Sequence, residues 1–113
     1  MTPGDLEDRE AYIEAVLSLV EQIPAGRVMT YGSIADLIGR GGPRQVGRVM
    51  ALHGGGVAWW RVVRSDGSLP DSHHGEAVAR YHQEGTALRG RIADADTLRV
   101  DVATALWSPT RSA

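Results

Sequence analysis

The chain contains no cysteine among its 113 residues. This absence excludes disulfide bonds, thiolate metal sites and a cysteine nucleophile within the chain. Lysine is absent too, so Schiff-base chemistry and the lysine of a Walker phosphate-binding loop are excluded. No apolar run approaches the ~20 residues that a membrane span needs. The acidic N-terminus lacks the apolar core of a signal peptide, and we therefore expect a cytoplasmic protein without a membrane partner.

Charge is distributed unevenly along a chain whose length fits one domain, residues 1–113, around a single modest core. Residues 1–26 contain six acids and one arginine, whereas residues 27–64 contain six arginines and one acid. A local basic patch can meet nucleic-acid phosphates even when the whole chain carries a net charge of −2. The alternative is that arginine merely replaces lysine on a solvated surface, and charge alone does not separate the two.

The first half predicts three helices. Residues 3–23 place apolar side chains at helical spacing above an acidic outer face. Thr30 predicts the N-cap of a second helix over residues 31–38, and Pro43 suits the first position of a third, over about residues 43–53. Two short helices joined by a glycine-containing turn are typical of a helix-turn-helix.

The third helix has two distinct faces. Arg44 and Arg48 are four residues apart and so share one face. Apolar side chains occupy the other face: Val46, Val49 and Met50. Gly47 lies between, and because glycine costs a helix about 1 kcal/mol relative to alanine, it predicts close approach by a helix or a phosphate. This pattern predicts either a recognition helix or an ordinary surface helix with solvated arginines.

Two adjacent tryptophans, Trp59 and Trp60, precede the β-branched pair Val62-Val63, which predicts a short strand. In a strand the two rings would point to opposite faces, so they could not both line one pocket. Further along, the sequence predicts a helix over about residues 76–84 and a strand over residues 98–102. The expected fold is mainly α with a small β wing, a winged helix-turn-helix-like single domain whose wing lies around residues 59–70.

No cofactor and no metal are predicted. His73 and His74 lack a third nearby ligand of the kind that a metal site requires. The serines lack a base and a group to orient it, so hydrolase chemistry has no support.

Three motifs, in one order and spacing, carry a resemblance to a known family: Tyr31-Gly-Ser-Ile-Ala, Arg44-Gln-Val-Gly and Trp59-Trp-Arg-Val. The chain resembles the DNA-binding domain of the O6-alkylguanine-DNA alkyltransferases over roughly residues 10–92, which leaves residues 93–113 as a C-terminal extension. Family enzymes carry Pro-Cys-His-Arg-Val, with cysteine as the alkyl acceptor. Here that segment reads Ala58-Trp59-Trp60-Arg61-Val62, so Trp59 stands at the cysteine position.

The replacement of the acceptor cysteine makes the chain similar to the alkyltransferase-like proteins. The resemblance implies a non-enzymatic protein, because a thiolate takes the alkyl group and an indole N–H is only a donor. It further implies binding of O6-alkylguanine in double-stranded DNA, base flipping, and transfer of the lesion to nucleotide excision repair proteins. Ala58 departs from the proline that is common before the tryptophan.

The resemblance also assigns roles to single residues. Trp59, Trp60 and Tyr31 would line the lesion pocket, and Arg44 would fill the gap that a flipped base leaves in the helix. The residues expected to bind DNA, mainly in the minor groove, are Tyr31, Arg44, Gln45, Gly47, Arg48, Arg61 and Arg64. For Arg61 the alternative is that it braces the strand. We expect a monomer, and the rival functions are a winged-helix module without lesion specificity and a protein–protein adaptor.

Overall fold

The computed structural model describes residues 3–68, 73–90 and 98–109, with side chains from residue 7 onward. The helices are α1 Pro3–Gln22, α2 Tyr31–Ile38, α3 Pro43–His53, α4 His74–Glu84 and α5 Val102–Ala105. The strands are β1 Met29–Thr30, β2 Val62–Val63, β3 Leu88–Arg89 and β4 Arg99–Val100. Two 3-10 turns, Gly54–Gly56 and Trp59–Arg61, link α3 to β2.

Helices α1, α2 and α3 pack around the larger of two core clusters. Its buried members are Val16, Leu19, Val20, Ile23, Met29, Ile34, Ala35, Val46, Val49 and Val62. The predicted apolar stripe of the first helix supplies four of them, and Tyr12 packs at their edge. Burial of this stripe holds α1 in place, since most helix stability in proteins comes from packing of the apolar face.

Local hydrogen bonds fix where α2 and α3 begin. The Thr30 hydroxyl accepts from the Ser33 N–H at 3.0 Å, while the Thr30 N–H donates to the Ser33 hydroxyl at 2.9 Å. This reciprocal pair provides acceptors for two backbone N–H groups at the start of the helix. In α3 the Gln45 side-chain oxygen accepts from the Gly42 N–H at 2.9 Å, one residue before Pro43. The predicted bounds of both helices are therefore confirmed.

The β structure consists of two short strand pairs, and their pairing differs from that of a wing hairpin. Strand β2 lies parallel to β1, with Met29 opposite Val62, while β3 and β4 form an antiparallel pair. Residues 59–68 therefore form no hairpin, and residues 69 and 70 lie outside the described ranges. In place of a hairpin over residues 59–68, the structure buries Val62 and Val63 and pairs them with β1.

The second core cluster joins α4 to the C-terminal segment. Its buried members are Val28, Val63, Ala77, Tyr81, Val100 and Ala105. Trp107, by contrast, packs its ring on the first cluster. Its backbone N–H donates to the Val28 carbonyl at 2.7 Å, and these two contacts anchor this part of the C-terminal segment.

Two predicted boundaries shift. Helix α4 begins at His74, two residues before the predicted start, and the predicted strand over residues 98–102 is limited to Arg99–Val100. Val102 instead opens α5, since the Asp101 carboxylate accepts from the Thr104 N–H and hydroxyl and so caps a helical turn. The sequence also predicts a polar loop over residues 71–74 and fraying of the last six residues; of these, residues 71–72 and 110–113 lie outside the described ranges.

The mainly α fold with small strands is confirmed. Within the described ranges, none of the helices combines the length and the apolar character that a membrane span would require.

Candidate nucleic-acid interface

A cavity of about 520 Å³ opens between α2, α3 and the start of α4. Three glycines form part of its wall, so the backbone and a bound molecule can approach closely there. Its lining residues are Tyr31, Gly47, Met50, Ala51, Gly54, Gly55, Trp59, His73 and Glu76. The cavity combines two aromatic side chains with a few polar groups, the composition that ligand sites favour.

Trp59 reaches this cavity because it lies in a 3-10 turn rather than in a strand. The backbone N–H of Trp59 donates to the Val57 carbonyl at 2.7 Å, which forms a tight turn just after the three glycines. The half-buried ring has the His73 imidazole as a neighbour, with ring centroids 5.9 Å apart and planes tilted by 55°. Trp59 thus presents an aromatic surface to the cavity, as the family resemblance implied.

Trp60 does not line the cavity. Its ring packs on the second core cluster, with the guanidinium carbons of Arg80 and Arg61 4.7 Å and 5.6 Å from the ring centroid. Its carbonyl accepts from the Tyr81 hydroxyl at 2.6 Å. Successive residues of a 3-10 turn point about a third of a turn apart, so the two tryptophans diverge. The structure therefore separates Trp60 from the pocket that the sequence assigned to it.

Arg61 is held inside the protein. Its guanidinium forms a salt bridge with Glu84 and donates from Nη1 to the Ile23 carbonyl at 2.8 Å. Burial acts to raise the pKa of Glu84, but the hydrogen bonds from Arg61 and from the Gly26 N–H outweigh it and hold the pKa below its ordinary value. Of the two roles left open by the sequence, the geometry favours bracing, because the donors of Arg61 that face Ile23 and Glu84 are already used.

Tyr31 and Gly47 meet at the cavity wall. A Cβ at Gly47 would stand 3.9 Å from the Tyr31 ring, so α3 and the phenol are in ordinary contact. Burial raises the pKa of the Tyr31 phenol, and the positive charge of Arg64 opposes part of that shift. Arg64 is exposed and directly follows β2, so it brings a cation close to the phenol.

The remaining predicted DNA contacts lie on the outer side of α3. Arg44, Gln45 and Arg48 are all exposed. Arg44 precedes Gly47 by three residues and Arg48 by four, so it shares a face with both. Gln45 and Arg48 also line a second cavity, of about 570 Å³, between α3 and α1. The structure thus places Arg44 on the ridge between the two cavities.

The comparison that decides the family is a match over residues 11–85 to the domain described as "6-O-methylguanine DNA methyltransferase, DNA binding domain". The chain belongs to this family. The matched residues include α3, Trp59, Trp60 and all of α4.

Two solved structures and one curated relative resemble this family member. S. pombe Atl1, in complex with damaged DNA containing O6-carboxymethylguanine, matches with a TM-score of 0.73 and 28% identity, over 88% of this chain and 97% of that one. The structure of S. pombe ATL in complex with DNA matches with the same values. A DNA base-flipping protein of Vibrio parahaemolyticus is 33% identical over 63 residues, 53% of this chain. The match spans 63% of that relative's length.

Of the nine residues that line the cavity of this family domain, the sequence assigned Tyr31, Gly47 and Trp59 and missed six, two of which are His73 and Glu76. They stand 14 and 17 positions after Trp59, and no short-range pattern connects them to it. His73 adopts the left-handed conformation, with a φ of 61°, a geometry uncommon outside glycine. Ala51 was missed as well, although its position four residues after Gly47 signals a shared helix face. Among the described residues, no group of three potential metal ligands occurs.

Proposed function

We propose that the protein recognises O6-alkylguanine in double-stranded DNA by flipping the damaged base into the cavity beside α3, without transferring the alkyl group. The observation that carries the proposal is that Trp59 and Tyr31, distant in sequence, line one open cavity next to the helix that bears Arg44. The family and the two DNA complexes of its S. pombe relative support binding of DNA.

The energy of base flipping is within reach of this cavity. Stacking of a base on an aromatic side chain contributes ~1–3 kcal/mol. Extruding a base from a duplex costs a few kcal/mol, and less when the base is damaged and poorly paired. In the proposal, the Trp59 ring offers a stacking surface, and the lower extrusion cost of alkylated guanine gives the preference for lesions.

The exposed face of α3 would supply the remaining steps. Arg44 would enter the gap that the flipped nucleotide leaves, and Tyr31 would press on the phosphate of that nucleotide. Arg48 and Arg64 would contact phosphates elsewhere on the duplex. Arg61 is not part of the proposed interface, since its salt bridge with Glu84 holds its guanidinium against the protein.

Alkyl transfer is not part of the proposal because the chain has no cysteine. Transfer to this family's acceptor needs a thiolate nucleophile. The Trp59 indole that faces the cavity has a donor N–H and no lone pair suited to attack. We further propose that the protein acts as a cytoplasmic monomer and passes the lesion to nucleotide excision repair proteins.

Binding to matched duplexes tests the proposal. The chain should bind a duplex with one O6-methylguanine more tightly than the same duplex with guanine, and both affinities should fall as salt rises. After incubation with the damaged duplex, the mass of the protein should be unchanged. Equal affinity for both duplexes would leave a DNA-binding module without lesion recognition. No binding at low salt would leave the adaptor function, and a gain of one methyl group in mass would refute the non-enzymatic mechanism.

A further inference from the structure

Glu76 is the acidic side chain among the residues that line the cavity. It is exposed, and within the described part of the chain no salt bridge or hydrogen bond engages its carboxylate. An exposed carboxylate carries a full negative charge at neutral pH. Any molecule that enters the cavity therefore meets a negative charge that the cavity walls do not neutralise.

The other groups around the cavity do not cancel this charge. The Tyr31 phenol is neutral, and burial raises its pKa further above the neutral range. At pH 8, the pH of the test below, histidine side chains are ordinarily deprotonated and neutral. The N-terminus of α4 contributes about +0.5 of a charge, whereas Glu76, in its first turn, contributes a full negative one. Arg64 lies near the Tyr31 phenol, but it is not one of the residues that line the cavity, whereas Glu76 is.

Adducts at O6 of guanine differ in charge. A methyl group is neutral, a carboxymethyl group is an anion, and a 2-aminoethyl group is a cation. A flipped base that enters this cavity of about 520 Å³ brings its O6 adduct among the lining residues, of which Glu76 is one. Like charges several ångström apart at a protein surface repel enough to change an affinity by about tenfold.

We infer that Glu76 makes the cavity select lesions by charge, so that neutral and cationic O6-alkyl groups are accepted and anionic ones are disfavoured. This inference rests on the proposed function and names the class of lesion that the cavity takes. S. pombe Atl1 was solved in complex with DNA containing O6-carboxymethylguanine, so we assign the discrimination to the Glu76 carboxylate and not to the fold.

Four duplexes of one sequence test the inference, carrying guanine, O6-methylguanine, O6-carboxymethylguanine or O6-(2-aminoethyl)guanine. At pH 8 and low salt, the wild-type chain should bind the carboxymethyl duplex about tenfold more weakly than the methyl duplex and the aminoethyl duplex more tightly. In Glu76→Gln, the methyl-to-carboxymethyl affinity ratio should fall to within about twofold of unity. Glu21→Gln, which removes an exposed acid of α1 outside the cavity, should keep the wild-type ratio.

The ratio is the measurement because loss of one negative charge strengthens DNA binding in general, and that effect cancels between two duplexes. Equal binding of the methyl and carboxymethyl duplexes by the wild type would overturn charge selection while the proposed function stands. A ratio unchanged in Glu76→Gln would do the same. Failure to prefer O6-methylguanine over guanine would overturn the proposed function and this inference together.

Discussion

The rings of Trp59 and Trp60 meet edge to face, with centroids 5.7 Å apart and planes at 85°. Despite this contact, they serve different parts of the molecule. Both rings pack against the second core cluster, but Trp59 also lines the cavity beside α3, whereas Trp60 lies beneath the guanidinium of Arg80. A single 3-10 turn thus places one indole at the cavity and the next away from it.

Replacement of each tryptophan should separate binding from stability. Trp59→Ala should lower the affinity for O6-methylguanine DNA about 10- to 100-fold, because stacking contributes ~1–3 kcal/mol per base. Trp60→Ala should instead lower the free energy of unfolding by about 2–3 kcal/mol, since it removes a large packed ring. Duplex binding and urea unfolding of both variants measure the two effects. The opposite assignment, with the larger binding loss in a folded Trp60→Ala, would contradict the cavity site.

Arg44→Ala should weaken binding to damaged DNA at least tenfold and leave the fold intact, because Arg44 is exposed and forms no contact on which the core depends. The matched variant Arg89→Ala removes an exposed arginine of β3 far along the chain from α3. Both variants lose one positive charge, so a larger loss of DNA affinity in Arg44→Ala would show that the position of Arg44 on α3 matters beyond its charge. Equal losses would reduce Arg44 to a general phosphate contact.

The Glu84 carboxylate should make the free energy of unfolding decrease as the pH falls. Its pKa is below the ordinary value in the folded protein, so its contribution is present in full above about pH 4.5. That contribution is lost as the pH falls through the folded pKa. Glu84→Gln should lower the free energy of unfolding by about 1.5–3 kcal/mol at pH 7, the range for hydrogen bonds to charged groups. Urea unfolding at pH 7 and at pH 3 should show this difference shrinking in acid; a constant difference would exclude the ionised carboxylate as its cause.

Two glycines with nearly equal backbone geometry should respond differently to alanine. Gly39 and Gly67 have φ values of 85° and 80°, so alanine strains both backbones similarly. A Cβ at Gly39 meets nothing within 4 Å, whereas at Gly67 it would stand 2.1 Å from the Val100 carbonyl oxygen. Gly39→Ala should cost about 1 kcal/mol and Gly67→Ala at least about 2 kcal/mol more. Thermal unfolding measures both, and equal costs would show that the contact at Val100 relaxes freely.

The sequence determined the helical part of the fold. The Thr30 cap, the residue Pro43 and the apolar stripe of the first helix are local signals, and local hydrogen bonds and burial turned them into α1, α2 and α3. The family resemblance, which rests on the order and spacing of three motifs, also implied that Trp59 and Tyr31 line one pocket. Both residues line the cavity beside α3.

The tertiary structure alone decided which side chains meet. Whether Trp60 faces the cavity or the core depends on a 3-10 turn that follows from packing around it. Whether Arg61 meets phosphate or carboxylate depends on Glu84, 23 residues later. Glu76 joins the cavity only because α4 packs beside Trp59. Helices form from neighbours in sequence and can be read there, whereas a cavity's charge is set by residues brought together through long-range packing.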